Sequence, residues 1–520
     1  MQQNKILRYM IEESKYQDNP TEVFYRLCHN KSNTLLLESS TVIDKKAVES
    51  MMIVDSALRI TARNNCVSIT ALTNNGKFLL IMLDNIFPRN IQVISTPAQR
   101  KIIFPYYSIP VDEEKKLMLH SVFDIFRFII KSISSYEQKK TIFFGGLFSY
   151  DLINSFEILP LVEKKHHCPD FCFYLAENLV LINHKKKTTT IQTNIFTSNA
   201  YEYIRLKNRM LSIQKRLNSE IKTMPSVPIH NMKVTYDIHD MEYAQVIKKM
   251  KKFITQGDIF QVVPSRKFYL PCTHSLSAYH ALKQNNPSPY MFFMQDIHFQ
   301  LFGASPESYL KYNPKNRIVE IHPIAGTRSR GKNKDGSINL DLDNRIELSL
   351  RTNQKELSEH LMLVDLARND LAKVCSTGSR YVSQLMKVEK YSHVMHLVSN
   401  VIGTLSEDLD IFHAYQSCMN MGTLTGAPKI RAMQLIAQIE KNSRGSYGGS
   451  IGYFTGEELF DMCIIIRSAY VENNIATVQT GAGIVLDSIP FEEIQESKNK
   501  AYAVLLSIFQ SHHAKGTLYV

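Results

Sequence analysis

Apolar positions along this chain change period several times, and each change predicts a different element. Val67 to Leu72 and Lys77 to Leu83 are short segments of strand-like pattern, which predicts antiparallel strands. Pro20 to Cys28 and Ser121 to Ser134 carry helical spacing. In the second half, helical patterns over Met241 to Gln256, Gln354 to Cys375, Ala427 to Glu440 and Pro490 to Gln510 interleave with strand patterns. The strand patterns cover Gln300 to Ser305, Ser450 to Phe454, Met462 to Val471 and Ile475 to Thr480. Such interleaving predicts an α+β, two-lobed fold in which large antiparallel sheets pack with helices. Arg205 to Met232 is polar and Lys-rich and ends in TMPSVPIHNM, where two prolines predict a connector. The expected domains are therefore 1–230 and 231–520. No repeat of fixed period is present.

With 520 residues, 44% of them hydrophobic, the chain can bury a large core. The net charge of +12 is scattered in short groups such as Lys185 to Lys187 and Lys248 to Lys252, with no nucleic-acid module beside them, so no nucleic-acid partner is expected. The start, MQQNKILRYMIEES, has no apolar signal core. The strongest apolar runs, Phe78 to Leu83 and Cys463 to Ile466, are too short to cross a bilayer, which predicts a soluble, cytoplasmic protein without membrane contact. The 8 cysteines lack paired CxxC spacing and are expected to be reduced and mostly buried. His166, His167, Cys168 and Cys172 form one cluster, but no second pair stands at ligand spacing, so a surface loop is expected there rather than a metal site.

The richest chemistry lies in QTGAGIVLDSIPFEEIQESKNK, Gln479 to Lys500. Gly481, Ala482 and Gly483 can turn consecutive backbone N–H groups toward one point, which suits a carboxylate or phosphate. Pro490 then opens a helix on which Glu493 and Glu496 stand one turn apart, where carboxylate oxygens could hold Mg²⁺. Glu356 and Glu359 repeat that spacing on an earlier helix. Either pair alone reads more readily as a solvated face, and Glu496 with Lys500 as an i,i+4 salt bridge. Together they predict an anionic ligand carrying a metal. The glycines of RGSYGGSIGYF surround Tyr447, a donor toward an oxyanion, and Arg467 interrupts a strand pattern where it must face solvent or meet an anion. His393 and His396 lie in an apolar context that suits core histidines or proton transfer. Glu307, after a short strand and a proline, would act as an acid or base if its cleft raises its pKa. HPIAGTRSRG and MGTLTGAPKIRAM offer further backbone and hydroxyl donors.

The segments GASPES, HPIAGTRSRG, ELSEHLMLVDLARNDL, GTLTGAPK, GSYGGSIGYF, IRSAYV and TGAGIV…PFEEIQESKNKA, in this order, resemble the chorismate-utilising enzymes, and within them the aminase components of anthranilate synthases. The resemblance covers nearly the whole chain. It implies conversion of chorismate and ammonia to anthranilate and pyruvate, the first step of tryptophan biosynthesis. It further implies that Glu359 and Glu496 hold Mg²⁺ with Glu356 and Glu493 close by, that Gly326 and Thr327 contact the ring carboxylate, and that Tyr447, Arg467 and the backbone of Gly481, Ala482 and Gly483 hold the enolpyruvyl carboxylate. Glu307 would be the general acid for loss of the C4 hydroxyl, with His396 and Thr423 serving the elimination.

The same resemblance separates this chain from its cousins. Aminodeoxychorismate synthases typically read PIKGT with a nucleophilic lysine, and here Ala325 takes that place; isochorismate synthases place a general-base lysine where this chain has Gln261. Amination at C2 is the reading these two residues favour over an aminodeoxychorismate synthase, an isochorismate synthase or a non-catalytic chorismate or tryptophan sensor. LLLESS and NPSPYMFF are similar to segments that bind the feedback inhibitor tryptophan, which implies contacts from Glu38, Ser40, Pro289, Tyr290 and Met291. No cysteine lies in a GxCxG elbow, so a separate glutamine amidotransferase subunit is implied, in a heterotetramer.

Overall fold

The structure is a computed structural model that describes every residue except 1–7, 30, 41–46, 89–90, 106–111, 134–138, 140, 220–231, 334, 336, 391–393, 514–517 and 519. Two long strands, Ala47–Arg63 and Phe171–Asn183, pair antiparallel along most of their length. Their register slips between Ile53 and Asp55, between Asp55 and Ser56, and between Ser56 and Leu58. Such bulges bend a strand and increase its twist, so the two strands continue from one sheet into another.

In one sheet, Ala47–Arg63 is followed by Thr34–Ser40, Tyr290–Gln295, Gln300–Ser305, Ser468–Glu472, Ile475–Gly481 and Ser265–Pro271. In the other, Phe171–Asn183 is followed by Phe143–Phe148, Ser450–Thr455, Phe460–Ile464, Ser308–Asn313, Ile318–Ile321 and Val394–Thr404. Strands from before and after the central segment thus join within the same ladders, Thr34–Ser40 against Tyr290–Gln295 and Phe143–Phe148 against Ser450–Thr455. The helices Gln354–Ala372 and Pro490–Ser511 pack on opposite members of this system, the first on Ile324–Ser329 and Val394–Thr404, the second on Ile475–Gly481.

The larger core is strongly aromatic. Phe126 touches the rings of Phe144, Phe148, Phe171, Phe173, Phe412 and Phe454, at centroid separations from 5.1 to 6.2 Å. The neighbouring Arg127 donates to both carboxylate oxygens of Asp410, at 2.6 and 2.7 Å, tying helix Asp124–Ser132 to helix Ile411–Cys418 beside those rings. Among the described residues no helix is long and apolar enough to cross a membrane.

Most predicted elements appear within three residues of their expected bounds, and three segments differ in kind. Lys77 to Leu83 lies within a helix, Asn74–Leu83, because the Thr73 side chain caps its first turn by accepting from Gly76 N–H at 3.1 Å. Buried Leu79, Leu80 and Leu83 share its inner face. The Lys-rich stretch begins inside a helix, Ala200–Leu217, whose buried Leu206, Met210, Ile213 and Leu217 recur at helical spacing among the lysines and arginines. The two prolines expected in the connector lie outside the described residues. Met462 to Val471 is two strands, Phe460–Ile464 and Ser468–Glu472, separated where Arg467 takes a left-handed φ of 49°. The strand breaks at the residue whose charge must be turned toward a partner. The cysteines are free, with Cys168 and Cys172 buried beneath the loop that carries His166 and His167.

Removing a ring from the aromatic cluster leaves a cavity that its neighbours fill only in part. Phe126→Ala is expected to lower the unfolding free energy by about 3–5 kcal/mol. Denaturant unfolding followed by far-UV circular dichroism checks this.

Candidate active site

Asn353 sets the phase of the first carboxylate helix. Its Oδ1 accepts from Glu356 N–H at 3.1 Å, so Glu356 and Glu359 emerge on one face a turn apart. Glu356 also accepts from Arg328 at 2.9 Å. Over it lies Gly326, with φ +68°, where a Cβ would stand 2.8 Å from both Glu356 Oε2 and a Leu350 methyl. Only glycine fits that turn and that approach.

The C-terminal helix begins at Pro490 and presents Glu493, Glu496 and Lys500 at successive turns. Lys500 Nζ donates to Glu496 at 2.6 Å and to the Gly481 carbonyl at 3.0 Å, so one ammonium joins the helix to the glycine loop. Glu493 is buried.

Between the helices stands Glu359, whose Oε1 accepts from Gln261 Nε2 at 2.6 Å. The Gln261 Oε1 is buried with no partner. Burial pushes the Glu359 carboxyl up to about 7, and the neighbouring Glu356 and Glu496 carboxylates push the same way against Gln261 and Lys500. The site is therefore short of positive charge. Among the described residues no three His, Cys, Asp or Glu side chains form a ready metal cage. A pair of repelling carboxylates instead fits a hard cation that keeps several waters and takes its remaining ligands from a substrate, which is the habit of Mg²⁺.

A second group faces the same centre. Glu307 follows strand Gln300–Ser305, is buried, and accepts from Thr423 Oγ1 at 3.0 Å. Burial pushes its carboxyl up to about 8, although Thr423, Arg467 and Lys500 oppose the shift. His396, on strand Val394–Thr404, stands in register with Thr327 and is hydrogen-bonded with the Gly326 backbone. Burial and the Arg467 charge push this imidazole down to about 4. Burial lowers the Arg467 guanidinium, while Tyr447, Glu496 and Glu307 draw it up again. Tyr447 is pushed up to about 12 by burial and hydrogen-bonds with the Gly481 backbone. Burial thus favours the protonated form of the Glu307 carboxyl and the neutral form of the His396 imidazole, both near Arg467.

The arrangement brings together Glu307, Thr423, His396, Gly326, Glu356, Glu359, Glu496, Arg467, Tyr447 and the Gly481 loop, with Ala482 buried and Gly483 packed against Gln261 and Glu359. The Thr327 side chain and all of His393 lie outside the described residues. Lys500 and Gln261 join the site beyond the roles expected of them. The first was visible as a lysine on the Glu493–Glu496 face. The second is placed by a two-residue ladder, Gln261–Val262 with Gly426–Ala427, that leaves no periodic signal.

The expected inhibitor segments are adjacent strands, Glu38 in register with Met291 and Ser39 with Tyr290. Glu38 is buried and accepts from Tyr279 Oη at 2.5 Å and from Lys283. Met291 packs in the same cluster as Tyr279, whereas Tyr290 points to the other face and donates to Asp461 at 3.1 Å. The segments meet, but their side chains divide between two faces. The Ser40 side chain lies outside the described residues.

The family profile described as chorismate binding enzyme matches residues 93–506. Anthranilate synthase component 1 of Buchnera aphidicola subsp. Pemphigus spyrothecae is 57% identical over 513 residues, covering 98% of this chain and 99% of its own. The protein of the same name from Escherichia coli (strain K12) is 53% identical over 516 residues, covering 99% of each. Among solved structures, anthranilate synthase component I from Streptococcus pneumoniae TIGR4 superposes with a TM-score of 0.67 at 27% identity, over 88% of this chain and 92% of that one. The menaquinone-specific isochorismate synthase MenF from Escherichia coli superposes with a TM-score of 0.70 at 17% identity, over 97% of this chain and 95% of that one, a likeness of fold.

The raised Glu307 carboxyl has a consequence for stability. Because the folded state holds this proton more tightly than the unfolded chain, its contribution is fully present below the usual 4.5 and is lost as pH rises through about 8. Glu307→Gln, which cannot ionise, is expected to raise the thermal midpoint relative to the parent above that range and to leave it nearly unchanged below 4.5. Thermal melts across this pH interval test the sign.

Proposed function

The chain belongs to the chorismate binding enzymes, and we propose that within them it works as the aminase component of an anthranilate synthase, converting chorismate and ammonia to anthranilate and pyruvate. The observation that carries this reading is the pairing, around Arg467, of a carboxyl protonated to about 8 with an imidazole neutral down to about 4. One can give a proton and the other can take one across the whole neutral range.

Glu307 donates its proton to the C4 hydroxyl as that group leaves, with the Thr423 hydroxyl steadying the carboxylate that results. His396 accepts the ring proton when pyruvate is eliminated, and its contact with the Gly326 backbone fixes the ring for that task. Tyr447, Arg467 and the Gly481 loop bind the enolpyruvyl carboxylate, while Gly326 and Thr327 bind the ring carboxylate. Glu359 and Glu496 would hold Mg²⁺, with Glu356 and Glu493 behind them, and the bound ion would neutralise a substrate carboxylate and orient the ring. Ala325 offers no nucleophile at the position where aminodeoxychorismate synthases carry lysine, which supports amination at C2.

The designation component 1 of the relatives supports a separate partner that releases ammonia from glutamine. Tryptophan is proposed as the feedback inhibitor, at the strand pair containing Glu38, Ser40 and Pro289 to Met291.

The purified chain, given chorismate, Mg²⁺ and ammonium, is expected to produce anthranilate fluorescence. Glu307→Gln should lower kcat by about a hundredfold to ten-thousandfold. In His396→Ala, chromatography of the reaction should show aminodeoxyisochorismate building up while anthranilate stays low; loss of both compounds would remove His396 from the second step.

Ser40→Phe should relieve inhibition by tryptophan and leave turnover without tryptophan largely intact. Inhibition curves that superpose on those of the parent would place the inhibitor elsewhere.

A further inference from the structure

A cavity of about 550 Å³ lies behind Tyr447, and neither Arg467, the Gly481 loop, Glu359 nor Lys500 lines it. Its floor is the sheet face made by Ser265–Pro271, Ser468–Glu472 and Ile475–Gly481, and its rim is the loop around Lys165 and His166 and the turn from Arg444 to Tyr447. That volume is in the range that holds a small organic ligand.

The polar groups on its wall are unevenly matched. Lys165, Lys233, Lys267 and Arg444 line it as cations, and among the described lining residues Glu472 is the one carboxylate. Glu472 is occupied, accepting from Tyr470 at 3.1 Å and from His167. Arg444 is occupied too, by Glu440 at 2.6 Å. Lys267 is different. The one hydrogen bond of its ammonium among the described residues goes to the Ser443 carbonyl at 3.2 Å.

Three acids stand behind the wall: Glu440, engaged by Arg444 and Ser265; Asp151, engaged by the N–H groups of Arg444 and Gly445; and Asp237, one of whose oxygens accepts from the Lys267 backbone N–H. Burial holds the Lys267 ammonium below its usual value despite those acids. Beside it the His166 Nδ1 is buried without a partner, in an imidazole that burial keeps neutral. The wall also carries the rings of Tyr269, Tyr447 and Tyr470 with Pro271 and Ile475, interspersed with uncharged polar residues such as Thr477 and Gln479.

From a cation without a carboxylate partner, set among tyrosine rings, we propose that this cavity is a second ligand site that takes a small aromatic carboxylate, its carboxylate on Lys267 and its ring among the tyrosines. Charge-assisted pairing supplies the orientation and the rings of the wall supply burial. Tyr447 lines this cavity and also hydrogen-bonds with the Gly481 backbone, so the site shares a wall with the chorismate site without being part of it.

Calorimetric titration of the full chain with benzoate tests this. The parent should bind with a Kd of about 1 mM or tighter, Lys267→Met should bind about tenfold to a hundredfold more weakly, as loss of a charge-assisted hydrogen bond implies, and Lys267→Arg should retain binding. Arg467→Gln should bind as the parent does. Equal affinity in Lys267→Met overturns the proposal, as does loss confined to Arg467→Gln, which would put benzoate in the chorismate site. Absence of parent binding overturns it as well. Crystals of the parent soaked in benzoate give a reading that depends on no variant: density with its carboxylate against Lys267 Nζ supports the site, and density elsewhere refutes it.

Discussion

The constraint on which this structure turns is the mutual repulsion of carboxylates held close together. Glu356, Glu359 and Glu496 are brought by two helices to one place, and bringing like charges together costs free energy unless something positive answers them. Lys500 answers part of it, reaching both Glu496 and the Gly481 carbonyl. The remainder appears as a Glu359 carboxyl that prefers to keep its proton near neutrality. A fold would not retain that arrangement for stability alone, because a buried apolar pair would serve as well or better. The sheets, the cap at Asn353, the proline that opens the C-terminal helix and the glycine at 326 all work to hold these charges in place.

The same burial acts with opposite sign on two other groups. Withdrawal from water favours the neutral form of any side chain, so it raises Glu307 and lowers His396. A single physical cause thereby sorts an acid from a base. The Arg467 charge acts on both, reinforcing the depression of the histidine while restraining the rise of the glutamate. The left-handed backbone of Arg467, where a strand would otherwise run straight through, is the local distortion that puts the guanidinium near both.

Much of this was legible in the sequence because its signals are local. Paired glutamates one turn apart, Pro490 at a helix start and the glycines at 326, 481 and 483 each declare a backbone or a face without reference to distant residues. What was hidden depends on partners far along the chain. The helix Asn74–Leu83 resembles a strand until Thr73 is seen as its cap, and the helix Ala200–Leu217 hides four buried apolar residues among lysines and arginines. The break at Arg467 is invisible to a pattern that counts only apolar residues. Gln261 was legible as an absence, a position without a basic lysine, but its hold on Glu359 comes from a ladder between segments far apart in the chain, with Gln261 in register with Ala427. The division of Tyr290 and Met291 between two faces follows from strand geometry, yet which face meets which cluster is decided by the sheets.

The two long strands shared by both sheets have a further consequence. Thr34–Ser40 lies between Ala47–Arg63 and Tyr290–Gln295, and Phe143–Phe148 lies between Phe171–Asn183 and Ser450–Thr455. Cutting the chain in its middle would strip partners from Tyr290–Gln295 and Ser450–Thr455 and leave apolar edges open to pairing with other chains. During synthesis, the first half must wait with its own edges unpaired until the second emerges, so this molecule completes its folding late, as one unit, and is most exposed to aggregation while it is still being made.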